Sequence, residues 1–175
     1  MYSNKPKVLH ALAGKPLVQH VLDRATELEP QQICVVYGHG GEAVREAFAG
    51  EAGIAWARQD PQLGTGHAVL QALPHLKDVG HTLVLYGDVP LIRPDTLRRL
   101  CKVAGEGLGV LTVELEDAAG YGRVLRQGGR IARIVEQKDA TAEQLAIREI
   151  NTGIMAIPTA RLKSWLARLG NNNAQ

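Results

Sequence analysis

Apolar positions recur along this chain in two alternating rhythms, one helical and one extended. Leu17, Val18, Val21, Leu22, Ala25 and Leu28 fall on one helical face, which predicts an amphipathic helix running up to about Pro30. Ile33–Tyr37 is a short β-branched run, read as a strand and ended by Gly38-His39-Gly40-Gly41. A helix through Ala43, Val44 and Ala47 follows, then an apolar stretch from Ile54 to Ala57, then a helix near His67 to Leu73. Thr82–Tyr86 has Leu-Val-Leu at its centre, the pattern of a strand in a parallel sheet covered on both faces. Pro94 opens the next helix, Asp95–Val103, since proline suits a first helical turn.

The second half continues the alternation but adds a hairpin. Val110–Leu115 reads as a strand, and Val124-Leu125 with Ile131–Val135 reads as two strands joined at Gln127-Gly128-Gly129-Arg130. Thr141 with Gln144 three residues on marks a capped helix start. Ile150–Ile157 is a further strand, and Leu162, Trp165, Leu166 and Leu169 form the stripe of a last helix. Strand and helix alternate for most of the chain, so the expected class is α/β: a Rossmann-like, mainly parallel open sheet with an antiparallel insertion. No linker divides it, and one domain over residues 1–175 is expected.

Composition changes the picture mainly by exclusion. The 175 residues are 45% hydrophobic and 22% charged, and 20 Lys+Arg against 18 Asp+Glu give a net charge of +2. Near neutrality, with 4% aromatics, leaves no basic stripe interleaved with rings, so no nucleic-acid partner is expected. Neither a secretory leader nor an apolar run of spanning length, roughly 18 residues, is visible, so no membrane partner and a cytoplasmic location are expected. Cys34 and Cys101 form no C-x-x-C pair and read as small core residues of a protein from a reducing compartment.

Asp88, in Tyr86-Gly87-Asp88-Val89-Pro90, follows the buried strand, at the edge where open α/β sheets place ligands. A lone carboxylate there suits Mg²⁺, which takes one or two carboxylates with substrate phosphates; equally, an aspartate can shape the turn before Pro90. Gly87, without a Cβ, lets a ligand approach the backbone. Gln62-Leu63-Gly64-Thr65-Gly66-His67-Ala68 leads into a helix whose first amides can bind a phosphate or read a base edge, though Thr65 as an ordinary N-cap explains it as well. Gln59 can pair with a base edge. Lys5 and Lys7 can neutralise a triphosphate or form a solvated basic end. Glu136, Lys138 and Asp139 read as a surface charge cluster, and Gly120-Tyr121-Gly122-Arg123 as a turn or a ligand loop. Asn151, flanked by Ile150, needs partners if buried, from a sugar or from a neighbouring loop. His67 reads as a solvated helix-start residue.

Taken together, Lys5-Pro6-Lys7-Val8-Leu9, Tyr37-Gly38-His39-Gly40, Gln62–Ala68, Leu85–Leu91, Gly120–Arg123, Ile134-Val135-Glu136, Lys138-Asp139-Ala140 and Glu149–Gly153 occur in one order and spacing. That ensemble, extending to Asn171-Asn172-Asn173-Ala174-Gln175, resembles the N-terminal uridyltransferase domain of the bacterial bifunctional N-acetylglucosamine-1-phosphate uridyltransferases/glucosamine-1-phosphate acetyltransferases. The resemblance implies a sugar-nucleotidyltransferase fold. It also implies the reaction of UTP with N-acetylglucosamine 1-phosphate to UDP-N-acetylglucosamine and pyrophosphate, with Mg²⁺, for peptidoglycan and lipopolysaccharide precursors. By the same resemblance Asp88 ligates Mg²⁺ and Lys7 contacts the phosphates. Gln59, Gly64 and Thr65 read the uracil, Tyr86, Gly87 and Asp88 line the nucleotide and sugar phosphate, and Gly122, Glu136 and Asn151 hold the N-acetylglucosamine. A homotrimeric parent is implied as well.

Against the family pattern, the leading strand with its Gly-rich loop is expected to be missing except for a final Met, here Met1. The distal Asn that resembles a second metal ligand and the left-handed β-helix carrying the acetyltransferase are expected to be missing too. Three other readings compete. One is a uridyl- or thymidylyltransferase for another hexose 1-phosphate, and another is a catalytically incompetent fragment. The third is a nucleotide-sugar glycosyltransferase, whose D-x-D motif is broken here by Pro90.

Overall fold

In a computed structural model of the chain, residues 5–169 are described. Met1 and the segment 171–175, both used in the family likeness, lie outside the described residues. The N-terminal part begins with a 3-10 turn, Lys7–Leu9, and a minute hairpin of β1 (Ala11–Leu12) and β2 (Lys15–Pro16). Its turn is made by Ala13 and Gly14, with φ of 49° and 84°, the left-handed pair that a two-residue hairpin loop needs. Helix α1 (Leu17–Thr26) starts directly after Pro16 and buries Val18, Val21 and Leu22, the stripe expected from the spacing.

Strand β3 (Ile33–Tyr37), helix α2 (Glu42–Ala47) and strand β4 (Ile54–Arg58) form a βαβ unit, with β3 and β4 parallel and in register from Ile33–Ile54 to Tyr37–Arg58. Leu9, Val18, Leu22, Val44 and Phe48 form a core against Ile33, Val35, Ile54 and Trp56, so α1, α2 and the first turn pack on this unit. Helix α3 (Thr65–Ala72) leads to β5 (His81–Val84), and helix α4 (Pro94–Ala104) follows. Pro94 stands in the first turn with Asp95 beside it, where a carboxylate meets the positive end of the helix dipole. Gly105, φ 50°, ends α4 by donating its N–H to Cys101.

Strands β6 (Gly109–Glu114), β7 (Arg123–Gln127) and β8 (Arg130–Val135), the short helix α5 (Ala142–Leu145), strand β9 (Glu149–Pro158) and helix α6 (Thr159–Leu166) complete the fold. The β7–β8 hairpin turns at Gly128 and Gly129, both at positive φ, and Thr141 and Gln144 form the reciprocal capping box. Long β9 organises a five-stranded sheet, pairing antiparallel with β5, β6 and β7. Leu97, Leu100 and Ala104 of α4 pack on Ile154 and Ala156 of β9 as a second core.

The α/β class is observed, with β3–β4 as its parallel pair. Strand β5, expected within a parallel sheet, instead pairs antiparallel with β9 and ends at Val84, two residues early. A Leu-Val-Leu run reports apolar surroundings on both faces and carries no signal for the direction of its partner. Between β3 and β5 lies a cavity of about 1470 Å³ lined by both strands, by α1 and by the start of α3. Cys34 and Cys101, expected in the core, are half-buried and free, and burial pushes both thiols up from their ordinary value. Among the described residues no helix is long and apolar enough to cross a membrane.

Candidate functional site

The first turn brings a cation to the end of β5. Leu9 is buried, Val8 packs on Gly87, and Lys7 between these anchors and Pro6 is left exposed. Its Nζ donates to Oδ2 of Asp88 at 2.8 Å. The hydrogen bond and charge of Asp88 raise the Lys7 ammonium above its ordinary value, so Lys7 carries a full positive charge at neutral pH. The turn around Asp88 is closed by backbone, Val89 N–H to the Tyr86 carbonyl at 3.1 Å. The Asp88 carboxylate is thus turned to a charge partner. Gly87 differs from expectation: a Cβ there would lie 3.2 Å from Val8 and 3.4 Å from Val18, so its missing side chain admits the first turn of the chain.

A second element, the start of α3, faces the same cavity. Gly64 is its N-cap at φ 90° and ψ 179°, an extended left-handed conformation open in practice only to glycine. Thr65 is therefore the first helical residue, and its hydroxyl meets the Tyr86 hydroxyl at 3.2 Å. Gln59, 8% exposed at the end of β4, donates from Nε2 to the Gly64 carbonyl at 2.9 Å. Lys5, Lys7, Gln59, Gly64, Thr65, Tyr86 and Gly87 all line the cavity; Asp88 does not, and is tied to it by its ion pair with Lys7.

Gly122, just before β7, Glu136, just after β8, and Asn151 on β9 form a separate cluster. The Asn151 N–H donates to the Gly122 carbonyl at 2.9 Å, and a Cβ at Gly122 would lie 3.2 Å from Glu136 Oε1. Asn151 Oδ1 accepts the Gly153 N–H at 2.9 Å, which leaves its NH₂ as the group to offer a ligand. Glu136 is exposed within the Gln137–Asp139 turn region, with Lys138 and Asp139 exposed beside it. Tyr86 joins the two clusters: its ring lies over Gly153, where a Cβ would be 2.6 Å from the ring edge, while its hydroxyl reaches Thr65.

Three participants escape a reading of the sequence. Gly153 accepts the Tyr86 ring, Gln62 lies over Gly38 where any Cβ would collide, and His67 faces Gln59 at 3.2 Å. The glycines stand in the motifs above, but which side chain each admits is a tertiary fact. His67 carried a usable signal in its place on the first turn of α3, eight residues after Gln59.

A hard oxygen donor beside a cation that lines the same cavity as the start of α3 suits a nucleotide phosphate and a divalent ion. Residues 1–149 match the MobA-like NTP transferase domain family, and the chain belongs to that family. Among characterised proteins it is similar over its whole length to the "Bifunctional protein GlmU" of Bordetella petrii, at 60% identity, and of Aromatoleum aromaticum, at 62%. The chain spans about 39% of the length of these relatives. Its fold is shared with UDP-glucose pyrophosphorylase complexed with UDP-glucose, with TM-score 0.72 and 18% identity over 96% of this chain and 74% of that one. It is shared equally with CMP:2-keto-3-deoxy-manno-octonic acid synthetase complexed with CTP, with TM-score 0.72 and 18% identity over 94% and 72%.

Proposed function

We propose that the chain is the nucleotidyl-transfer part of an N-acetylglucosamine-1-phosphate uridyltransferase, making UDP-N-acetylglucosamine and pyrophosphate from UTP and N-acetylglucosamine 1-phosphate. The observation that carries the reading is the Lys7–Asp88 pair at 2.8 Å, whose lysine lines the same cavity as the start of α3. A cation beside a lone carboxylate is the pairing that the phosphates and a divalent ion would use, with the start of α3 left to face the base. The high likeness to the GlmU relatives supports the choice of base and sugar. Neighbours of the same fold carry UDP-glucose or CTP, so the fold alone selects neither.

In the reaction an oxygen of the sugar phosphate attacks the α-phosphorus of UTP, the bond from that phosphorus to the β-phosphate oxygen breaks, and pyrophosphate leaves. The attacking oxygen is already anionic, so no enzyme nucleophile is required. The chain's contribution is positioning and charge neutralisation. Lys7 exchanges its pairing with Asp88 for the phosphates, Gln59, Gly64 and Thr65 hold the base, and Tyr86 and Gly87 flank the reacting phosphates. Gly122, Glu136 and Asn151 hold the sugar. Asp88 offers a hard carboxylate oxygen, already set beside the Lys7 ammonium. That suits Mg²⁺ held jointly by Asp88 and substrate phosphates. When bound, the ion supplies neutralisation of the triphosphate charge.

The acetyltransferase activity, a homotrimeric assembly and a cytoplasmic role in wall precursor synthesis are proposed, on the family likeness, for the protein expressed from its complete gene. Incubating that protein with UTP and either N-acetylglucosamine 1-phosphate or glucose 1-phosphate, and following products by phosphorus NMR, tests the reading. UDP-N-acetylglucosamine is the expected main product; preferential formation of UDP-glucose assigns the site to another hexose phosphate.

A further inference from the structure

The buried amide of Gln59 is held at two points. Its Nε2 lies 2.9 Å from the Gly64 carbonyl oxygen and 3.2 Å from Nδ1 of His67. Only the NH₂ end of an amide sits stably that close to a carbonyl, so Gly64 settles which end of Gln59 points inward. The second amide hydrogen falls to His67, whose Nδ1 must accept it. The ring is then neutral with its proton on Nε2. That nitrogen lies 3.1 Å from Nε2 of Gln71, one turn further along α3, an amide whose two ends are told apart only by the hydrogen bonds they make. As the donor there, it requires the oxygen of Gln71 to face it. A directed chain of hydrogen bonds therefore runs from Gln59 through His67 to Gln71.

With both hydrogens engaged, Gln59 has only Oε1 to offer the cavity it lines, and that oxygen takes no hydrogen bond among the described residues. The first turn of α3 lines the same cavity behind a glycine cap with no side-chain acceptor, and its amides are donors. An acceptor beside donors is the complement of a uracil edge, whose N3–H donates next to the O4 acceptor. Cytosine reverses both groups, with an N3 acceptor next to the N4 amino donor. Thymine has the same edge as uracil and is not distinguished by this arrangement.

We propose that His67 is a positioning residue for base selectivity: by holding Gln59 with its oxygen toward the cavity, it makes the site accept uracil and reject cytosine. The inference rests on the uridyl-transfer reading above. Its test compares kcat/KM for UTP and CTP, with the same sugar phosphate, in the protein expressed from its complete gene and in His67→Asn, His67→Gln and His67→Leu variants. An asparagine places its amide where Nδ1 sits and can present an acceptor to Gln59, whereas glutamine reaches the Nε2 position and leucine offers nothing.

The Asn variant is expected to keep the wild-type UTP-to-CTP ratio. The Gln and Leu variants are expected to lose roughly twofold to tenfold of it, the range of one net hydrogen bond, through KM for the nucleotide more than through kcat. The ratio of UTP to dTTP stays unchanged throughout. A merely structural histidine would weaken UTP and CTP alike, and that result, or equal ratios in the Asn and Gln variants, overturns the inference. Wild-type protein that uses UTP without preferring it to CTP overturns the inference and leaves uridyl transfer standing. Protein that releases pyrophosphate from neither overturns uridyl transfer itself.

Discussion

Gly153 combines two demands that glycine alone meets. Its φ is 80°, and the Tyr86 ring occupies the place of a Cβ. Gly153→Ala is therefore expected to cost about 1–3 kcal/mol in stability and to displace Tyr86 from Thr65. Urea unfolding checks the first effect, and a variant as stable as wild type contradicts it. Glu136 and Asn151 make a different prediction. If both hydrogen-bond the sugar, replacing either by alanine weakens sugar-phosphate binding by about 1–3 kcal/mol and leaves UTP binding nearly unchanged. Titration with each ligand separates this from a structural role, which would weaken both. Of the candidate residues, Asp88 could be singled out from the sequence because its chemistry is local to a strand end, whereas Gln59 and Gly64 stood out only through the family resemblance. Thr65 as N-cap was misread, since the cap is Gly64, and the packing of Val8 and Val18 against Gly87 could not be read because it is a tertiary contact.

Strands β7 and β9 are tied by a two-pronged ion pair: Arg126 Nε donates to Glu149 Oε2 at 2.8 Å and Nη2 to Oε1 at 2.6 Å. The Arg126 hydrogen bonds hold the Glu149 carboxyl below its ordinary value of 4.5. A lowered carboxyl contributes stability that is fully present above its unfolded value and is lost as pH falls through the folded one. The stability gap between wild type and Glu149→Gln in urea should thus be widest at neutral pH and close as the pH is taken below about 4. A gap independent of pH contradicts this. Elements with local signals were legible: the Gly128-Gly129 turn, the Thr141 capping box and Pro94 at the start of α4. The β1–β2 hairpin was not, because two-residue strands around Ala13-Gly14 leave no periodicity to read. Nor was the direction of β5, which depends on β9, about seventy positions later in the chain.

Strands β3 and β5 each have a partner on one side, β4 and β9, and their other edges border the cavity without a strand between them among the described residues. Unpaired apolar edges of this kind template association with another chain. A polypeptide of these 175 residues alone is expected to self-associate as its concentration rises, which sedimentation velocity reads directly. A monodisperse monomer at all concentrations would show that these edges are not adhesive.

The proposed role of the Asp88–Lys7 pair in nucleotidyl transfer is tested most directly by pyrophosphate release from UTP and N-acetylglucosamine 1-phosphate in the presence of Mg²⁺. The protein expressed from its complete gene should release pyrophosphate only when both substrates are present. Its Asp88→Asn variant should fold normally and be slower by about 100-fold or more. Release by the variant at near wild-type rates when Mg²⁺ is limiting, or no release by the wild type, would contradict it.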